Sequence, residues 1–267
     1  DSYQSVVLLE EALKNDGLPS QFSANDIEMY RKSAAGELSG LDAMLYPNVD
    51  WYDEVLKKSA PAQRYNVSVR GGTKRMRYYA SAELYDQKGL IKELSQDMYE
   101  NSSSPSYRRY AFRANMDLFL TKDLTFSVNF GTRFEERRGS NTSESSTFSQ
   151  TFYEMNHTPG WLFPVSYEVQ NGESTKTLYG GSSQYQSNIV AALAKGGYYR
   201  ATNTINETNF VLDYKMDWLT KGLSAKGMVS FDYDSYYKKM FKADFATYEL
   251  NDRDNYESMD AYNQFNS

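Results

Sequence analysis

The sequence has 267 residues, a formal net charge of −6 and no cysteine. That excludes disulfides, thiolate nucleophiles and zinc–thiolate sites, and it gives no basic footprint for nucleic acid. It is 40% hydrophobic and carries 24 tyrosines, yet no run approaches the roughly 18 apolar residues of a membrane helix; a membrane β-barrel, whose strands hide lipid-facing residues among polar ones, stays open.

The first sixty residues read as short helices. From Ser5 to Lys14, Val6, Leu9 and Leu13 share one helical face, and the breakers Gly17 and Pro19 follow. Ser23 with Asp26 forms a capping-box pattern for a second helix. In NVDWYDEVLKKSAP, Asp50 is placed to cap a third; Asp53 and Glu54 near its start and Lys57 and Lys58 near its end complement the helix dipole. All three read as ordinary surface helices. DSYQSVVLLEE has neither the basic region nor the apolar run of a signal peptide, so an exported protein is expected to carry residues before it.

From Arg64 the texture changes to strands. In RYNVSVRGGTKRMRYYASAELY, Tyr65, Val67 and Val69, then Met76, Tyr78, Ala80, Ala82 and Leu84, alternate with polar residues about a Gly71–Lys74 turn. YRRYAFRANMDLFL and LTFSVNFGTRFEE repeat the pattern across TKD, and NFVLDYKMDW and LSAKGMVSFDYD repeat it across LTKG. One face of these six strands has no charged residue. The other carries Arg70, Arg77, Glu83, Arg113, Asp117, Arg133, Asp213 and Asp217; a face so charged cannot be a second dry core and must line water. Connections alternate between short turns and the long segments 86–106 and 137–206, so short turns fall on one edge of an up-and-down sheet and long loops on the other. Outer-membrane barrels show that asymmetry. Tyr65, Tyr110, Phe112, Phe134 and Tyr233 lie toward the long-loop edge, and Tyr78 and Trp218 toward the other, as aromatic girdles would.

No catalytic constellation emerges, and no enzyme activity, cofactor or metal is expected. His157 in NHTPGW reads as a solvated loop residue, NDRDNYESMD lacks the spacing of a calcium loop, and RGGTKR lacks phosphate-loop spacing. The long loop is the candidate for ligand contact. It carries Tyr153, Trp161, Phe163, Tyr167, Tyr179, Tyr185, Tyr198 and Tyr199, and exposed aromatic rings suit sugars or peptides. Tyr153, Trp161, Tyr198 and Tyr199 are the substrate-binding candidates; the competing reading is that these rings pack the loop against itself or a lid.

YPNVDWYDEV, RYNVSVRGGTKRMRYYASAELYDQKGLIK and YRRYAFRANMDLFLTKDLTF together resemble the TonB-dependent transporters of the SusC/RagA type. The landmarks are Pro47, Asp50 and Trp51, then Gly71, Gly72, Tyr78 and Ser81, then Gly89, Arg109, Arg113 and Asn115, over roughly residues 46–130. The resemblance implies an all-β dominated fold: an antiparallel up-and-down transmembrane β-barrel segment with short N-terminal helices. Family members add a plug, an energy-coupling box and about 22 strands, so six strands form an incomplete barrel. The expected organisation is a helical segment over 1–62 on the extracellular side, six barrel strands with long extracellular loops over 63–236, and the start of another extracellular loop over 237–267. The implied function is nutrient uptake across the bacterial outer membrane: part of an importer of oligosaccharides or peptides, working with a SusD-like lipoprotein, the TonB complex and the lipid bilayer. The alternative is a soluble β-rich carbohydrate-binding or adhesin module, whose uncharged face would be buried against a second sheet.

Overall fold

Period-two alternation puts every second side chain of a strand on the same face, and directly paired residues of antiparallel strands share that face. The structure, a computed structural model, describes residues 1–95, 103–141, 145–172 and 174–265, with backbone only for 145–149. Six long strands form one antiparallel sheet: β1 (Ala62–Gly72), β2 (Met76–Lys88), β3 (Ser106–Phe119), β4 (Leu124–Ser140), β7 (Gly197–Lys215) and β8 (Ser224–Lys242). Their spatial order is β1-β2-β3-β4-β7-β8. The mostly β, antiparallel fold with few helices is as expected. The sheet is open: among the described residues, β1 and β8 have no outer partner.

Register makes the apolar face continuous. One row runs Tyr65–Leu84–Tyr110–Phe134, and deeper rows pair Val67 with Ala82 and Phe112, and Met116 with Val128, Phe210 and Val229. A one-residue slip at any pairing would throw that strand's charges onto this face, so the pattern itself specifies the register.

The short connections are closed by local chemistry. Thr121 Oγ1 accepts from the backbone N–H of Asp123 (3.2 Å) and Leu124 (3.0 Å). The Asp217 carboxylate accepts from the Gly222 N–H at 2.7 Å, and Gly222 has φ +82°, a left-handed conformation that favours glycine. Gly71 and Gly72 belong to β1 rather than to the turn, which is Thr73–Arg75, with the Thr73 N–H donating to the Met76 carbonyl. The ring of Tyr78 lies over its partner Gly71; a Cβ there would meet its hydroxyl at 2.5 Å and Cζ at 2.8 Å.

Before the sheet come α1 (Ser2–Asn15), α2 (Ala24–Ala34), α3 (Gly40–Leu45) and α4 (Trp51–Val55). The Ser23–Asp26 capping box forms, and Asp50 accepts from the backbone of Tyr52 and Asp53. The sequence pattern missed α3, a six-residue helix too short to show a period.

The connection expected over 137–206 as loop is largely ordered structure. β4 runs on to Ser140 and β7 already begins at Gly197. Between them lie α5 (Ser145–His157), the hairpin β5 (Ser166–Asn171) with β6 (Ser174–Tyr179), and α6 (Ile189–Lys195). After β8, β9 (Thr247–Leu250) pairs with β10 (Tyr262–Phe265). Of the connection expected over 86–106, residues 96–102 lie outside the described residues, as do 266 and 267 of the segment expected over 237–267.

The dry core sits in this second region. Trp51 and Val55 of α4, Ile91, Met155 of α5, Phe163, Tyr179 and the α6 residues Ile189, Val190 and Leu193 are buried together. A smaller cluster joins Tyr167, Val169 and Leu178 to Ala261 and Tyr262. α4 is therefore a core helix, against the expectation of a surface helix: Trp51 packs edge-on to Phe163 at 5.8 Å.

Candidate functional site

The charged face of the sheet is a ladder of arginines and carboxylates. Glu83 accepts from Arg64 at 2.5 Å and from Arg109 at 2.6 Å. Arg133 and Arg137 share Glu135 at 3.0 and 3.5 Å, and Arg77 meets Asp117 at 3.4 Å. Ser127 donates to the other Asp117 oxygen at 2.7 Å. Three of these cations also lie over rings, Arg77 over Phe119, Arg109 over Tyr85 and Arg137 over Tyr107. Charge-assisted bonds of this kind fix side-chain direction more than they stabilise, since exposed pairs contribute only about 0–1 kcal/mol.

A row crosses the sheet from Ser81 through Arg113 and Gly131 to Glu207 and Asp232. Gly131 leaves a gap in that row, and a cleft of about 330 Å³ opens there, lined by Tyr79, Ser81, Glu83, Arg113, Arg133 and Glu207. Arg113 is exposed in the cleft and, among the described residues, has no carboxylate partner. Arg70, Arg77 and Asp117 line a second depression nearer the short turns. Asp213 is paired in register with Lys226.

Asp217 is not on this face. β7 ends at Lys215, and Asp217 closes the following turn through Gly222. The alternation does not distinguish the last strand residue from the first turn residue. Trp218 likewise leaves the strand, its indole N–H donating to the Tyr214 hydroxyl at 3.0 Å.

The four aromatic candidates do not converge. Tyr153 is exposed on α5, its ring stacked on exposed His157 at 3.8 Å. Trp161 is partly buried under the N-terminal helices: Phe22 meets it edge-on at 5.2 Å, and the Tyr30 hydroxyl donates to its carbonyl at 3.1 Å. Tyr198 and Tyr199 are neighbours on β7 and so point to opposite faces, Tyr198 toward Phe241 and Tyr199 toward Lys238. Phe163, Tyr167 and Tyr179 are buried. They pack within the loop and against α4 and β10 rather than toward a ligand.

The sequence reading also missed the residue that pins this loop. Asn188 has no exposed surface; its amide donates to the carbonyls of Val165 (3.0 Å) and Gly180 (2.9 Å), and its oxygen accepts from the Ala191 N–H at the start of α6. The signal was an asparagine directly before the apolar run IVAALAK, a helix-cap position. Beside it, the Tyr185 hydroxyl donates to Glu154 and accepts from Thr158, and burial, reinforced by Glu154, pushes it up to about 12. Burial also pushes Tyr30 up to about 12 and raises Tyr167.

Among the described residues, no cluster of three His, Asp or Glu could hold a metal ion, and no helix is long and apolar enough to cross a membrane, which bears on helices only.

No protein-family model matches the chain. It is 31% identical to a TonB-dependent receptor of Formosa agariphila over 120 residues, 42% of this chain and 11% of that protein, so it spans about a tenth of that relative's length. Two solved structures share its fold. The RagAB peptide transporter matches with a TM-score of 0.53 and 18% identity, covering 72% of this chain and 19% of that one. The RagAB peptide importer in its open-open state matches with a TM-score of 0.54 and 17% identity, covering 87% of this chain and 24% of that one. The resemblance carried by the strand motifs is borne out as a likeness: part of this chain is similar in sequence to a TonB-dependent receptor, and its β-rich fold is that of the RagAB structures.

Proposed function

We propose that the six strands are part of the wall of a transmembrane β-barrel in a TonB-dependent importer of oligosaccharides or peptides. One observation carries the reading: an uncharged face, continuous through five strand pairings, is exposed on one side of the sheet while the other side is charged. Val67, Val229 and Phe231 are 68%, 69% and 67% exposed. Soluble proteins rarely expose contiguous apolar surface beyond a few hundred Å², and among the described residues no second sheet covers this one. The height also fits. From Leu124 to Phe134 the apolar side of β4 runs about 34 Å along the strand at roughly 3.4 Å per residue, or about 26 Å after a tilt of roughly 40°, against an apolar band of about 25 Å in outer-membrane barrels.

In this reading the arginine–carboxylate ladder lines the lumen, with Arg70, Arg77, Glu83, Arg113, Asp117, Arg133 and Asp213 facing water. Most of its cations are matched by nearby carboxylates, so the wall is wet without trapping a charged solute. Among the described residues Arg113 and Arg70 have no carboxylate partner, and Arg113, exposed in the cleft, is suited to a carboxylate of the cargo or of a plug. The segments before β1, between β2 and β3, between β4 and β7, and after β8 lie on the extracellular side. That side would receive cargo beneath a SusD-like lipoprotein, with exposed Tyr153 the best placed of the aromatic candidates. Energy would come from the TonB complex through parts of the protein beyond this chain. RagAB is a peptide transporter; oligosaccharide cargo remains within the proposal because aromatic rings suit both.

The test is native mass spectrometry of the full-length protein extracted from outer membranes in detergent. Co-purification of a lipoprotein, with precipitation when detergent is removed, is the expected result. A monodisperse detergent-free monomer would overturn the membrane reading in favour of a soluble binding module.

A further inference from the structure

Beyond the aromatic row Tyr65–Tyr110–Phe134 the apolar face does not simply end. The next row is Asp86–Arg108–Glu136–Thr202, and the one after it includes Lys88, Arg138, Arg200 and Lys239. These two rows stand one and two strand repeats, about 7 and 14 Å, past the aromatic rings on the same outward face. They hold five cations and two carboxylates, an excess of three positive charges in a chain whose net charge is −6.

Each carboxylate is shared. Asp86 takes Arg108 at 3.1 Å and Lys88 at 3.6 Å; Glu136 takes Arg138 at 2.5 Å and Arg200 at 3.5 Å. Each cluster is therefore held in place yet left one positive charge in excess, and exposed Lys239 adds another beside Arg200. The carboxylates are nearly covered, with side chains 23% and 15% exposed, while the cations stay at 42–44%. What the outward surface offers is thus mainly guanidinium and ammonium donors.

We propose that this band seats phosphate-bearing lipid headgroups of the leaflet on the long-connection side of the membrane. The inference rests on the reading of the apolar face as lipid-facing: acyl chains against Val67, Phe112 and Val229 put their headgroups at the level of the band. Charge complementarity selects the occupant. A phosphate monoester accepts paired hydrogen bonds from an arginine fork, which a zwitterionic headgroup answers only weakly. The carboxylates orient the arginines beforehand, so little side-chain freedom is lost on binding.

The experiment uses the full-length protein, delipidated in neutral detergent and examined by native mass spectrometry. The probes are phosphatidic acid, phosphatidylcholine with the same acyl chains, and inorganic phosphate as competitor. Wild type should retain phosphatidic acid at least tenfold over phosphatidylcholine, without displacement by millimolar inorganic phosphate. Lys239→Gln, which removes an exposed cation that among the described residues has no ion pair and lies 6.0 Å over the Tyr198 ring, should weaken that retention about fivefold, the effect of about 1 kcal/mol per surface cation. The triple variant R138Q/R200Q/K239Q should abolish the preference. Equal retention by wild type and both variants overturns the headgroup seat, and full displacement by inorganic phosphate overturns the lipid as its occupant. Insertion into pure phosphatidylcholine vesicles separates the two readings. Protein that inserts but shows no headgroup preference refutes only the seat, whereas protein that fails to insert refutes the lipid-facing sheet and the seat together.

Discussion

Val67 on β1 is 68% exposed and Leu193 on α6 is 1% exposed, though both are aliphatic residues in regular elements of one chain. The sheet and the assembly of α1–α6, β5–β6 and β9–β10 treat apolar side chains in opposite ways. The assembly does what water demands, gathering Trp51, Phe163, Leu193 and their neighbours into a dry cluster. The sheet turns Val67, Phe210, Val229 and Phe231 outward and keeps its charges on the other side. Under the proposed reading, an apolar medium takes the place of protein against that face. On that reading the contrast tells which solvent each region meets, and it does so without any functional residue.

The largest effect expected from breaking this contrast is in the assembly. Leu193→Ala should lose about 2–5 kcal/mol from the local unfolding of α6 and its neighbours, the cost of deleting a buried leucine side chain. Hydrogen exchange should then quicken over α4, α5 and α6 while the strand amides keep their protection. Equal quickening in both regions would show that they unfold as one unit.

Val67→Arg sharpens the comparison from the other side. An exposed valine on a water-soluble sheet tolerates arginine within about 0.5 kcal/mol. On a lipid-facing strand the same change, one repeat below the aromatic row, should cost more than about 0.5 kcal/mol and less than the roughly 2–4 kcal/mol reached at the bilayer middle. Urea unfolding of the full-length protein in phospholipid vesicles distinguishes the two, and a neutral result would remove lipid from the account.

The smallest effect is in alkali. Tyr30 and Tyr185 titrate near 12 in the folded protein, above the ordinary tyrosine value of about 10. Between those values the unfolded chain releases protons that the folded chain keeps, so the stability of the assembly is full below about pH 10 and falls as pH rises to about 12. Tyr185→Phe should flatten that fall, as followed by near-ultraviolet circular dichroism. An unchanged pH slope in the variant would remove Tyr185 from the cause.

How much could be read beforehand follows the same division. The strand pairings were legible because alternation is local and because a register slip reverses a whole face: Tyr65, Met116 and Val128 could stand only where they do. The caps at Ser23 and Asp50 were legible because a cap needs only residues two or three positions away. The fate of the long connection was not. Phe163, Tyr167 and Tyr179 are aromatic whether they meet a ligand or one another, and only the positions of α4, α6 and β9–β10 turn them inward. Tyr198 and Tyr199 show the opposite error: neighbours on a strand cannot line one site, and the connection had been read as loop where β7 had already begun.

What the order of residues determined was the division of the sheet into one uncharged and one charged face, since a period of two is written into the chain and needs no distant partner. The tertiary structure alone decided which aromatics became core, that Glu83 lies between Arg64 and Arg109, and that Asp86 and Glu136 each hold two cations above the aromatic row. Those outcomes join residues from different strands or from opposite ends of the chain. No local preference can specify them, because burial and ion pairing depend on which surfaces meet.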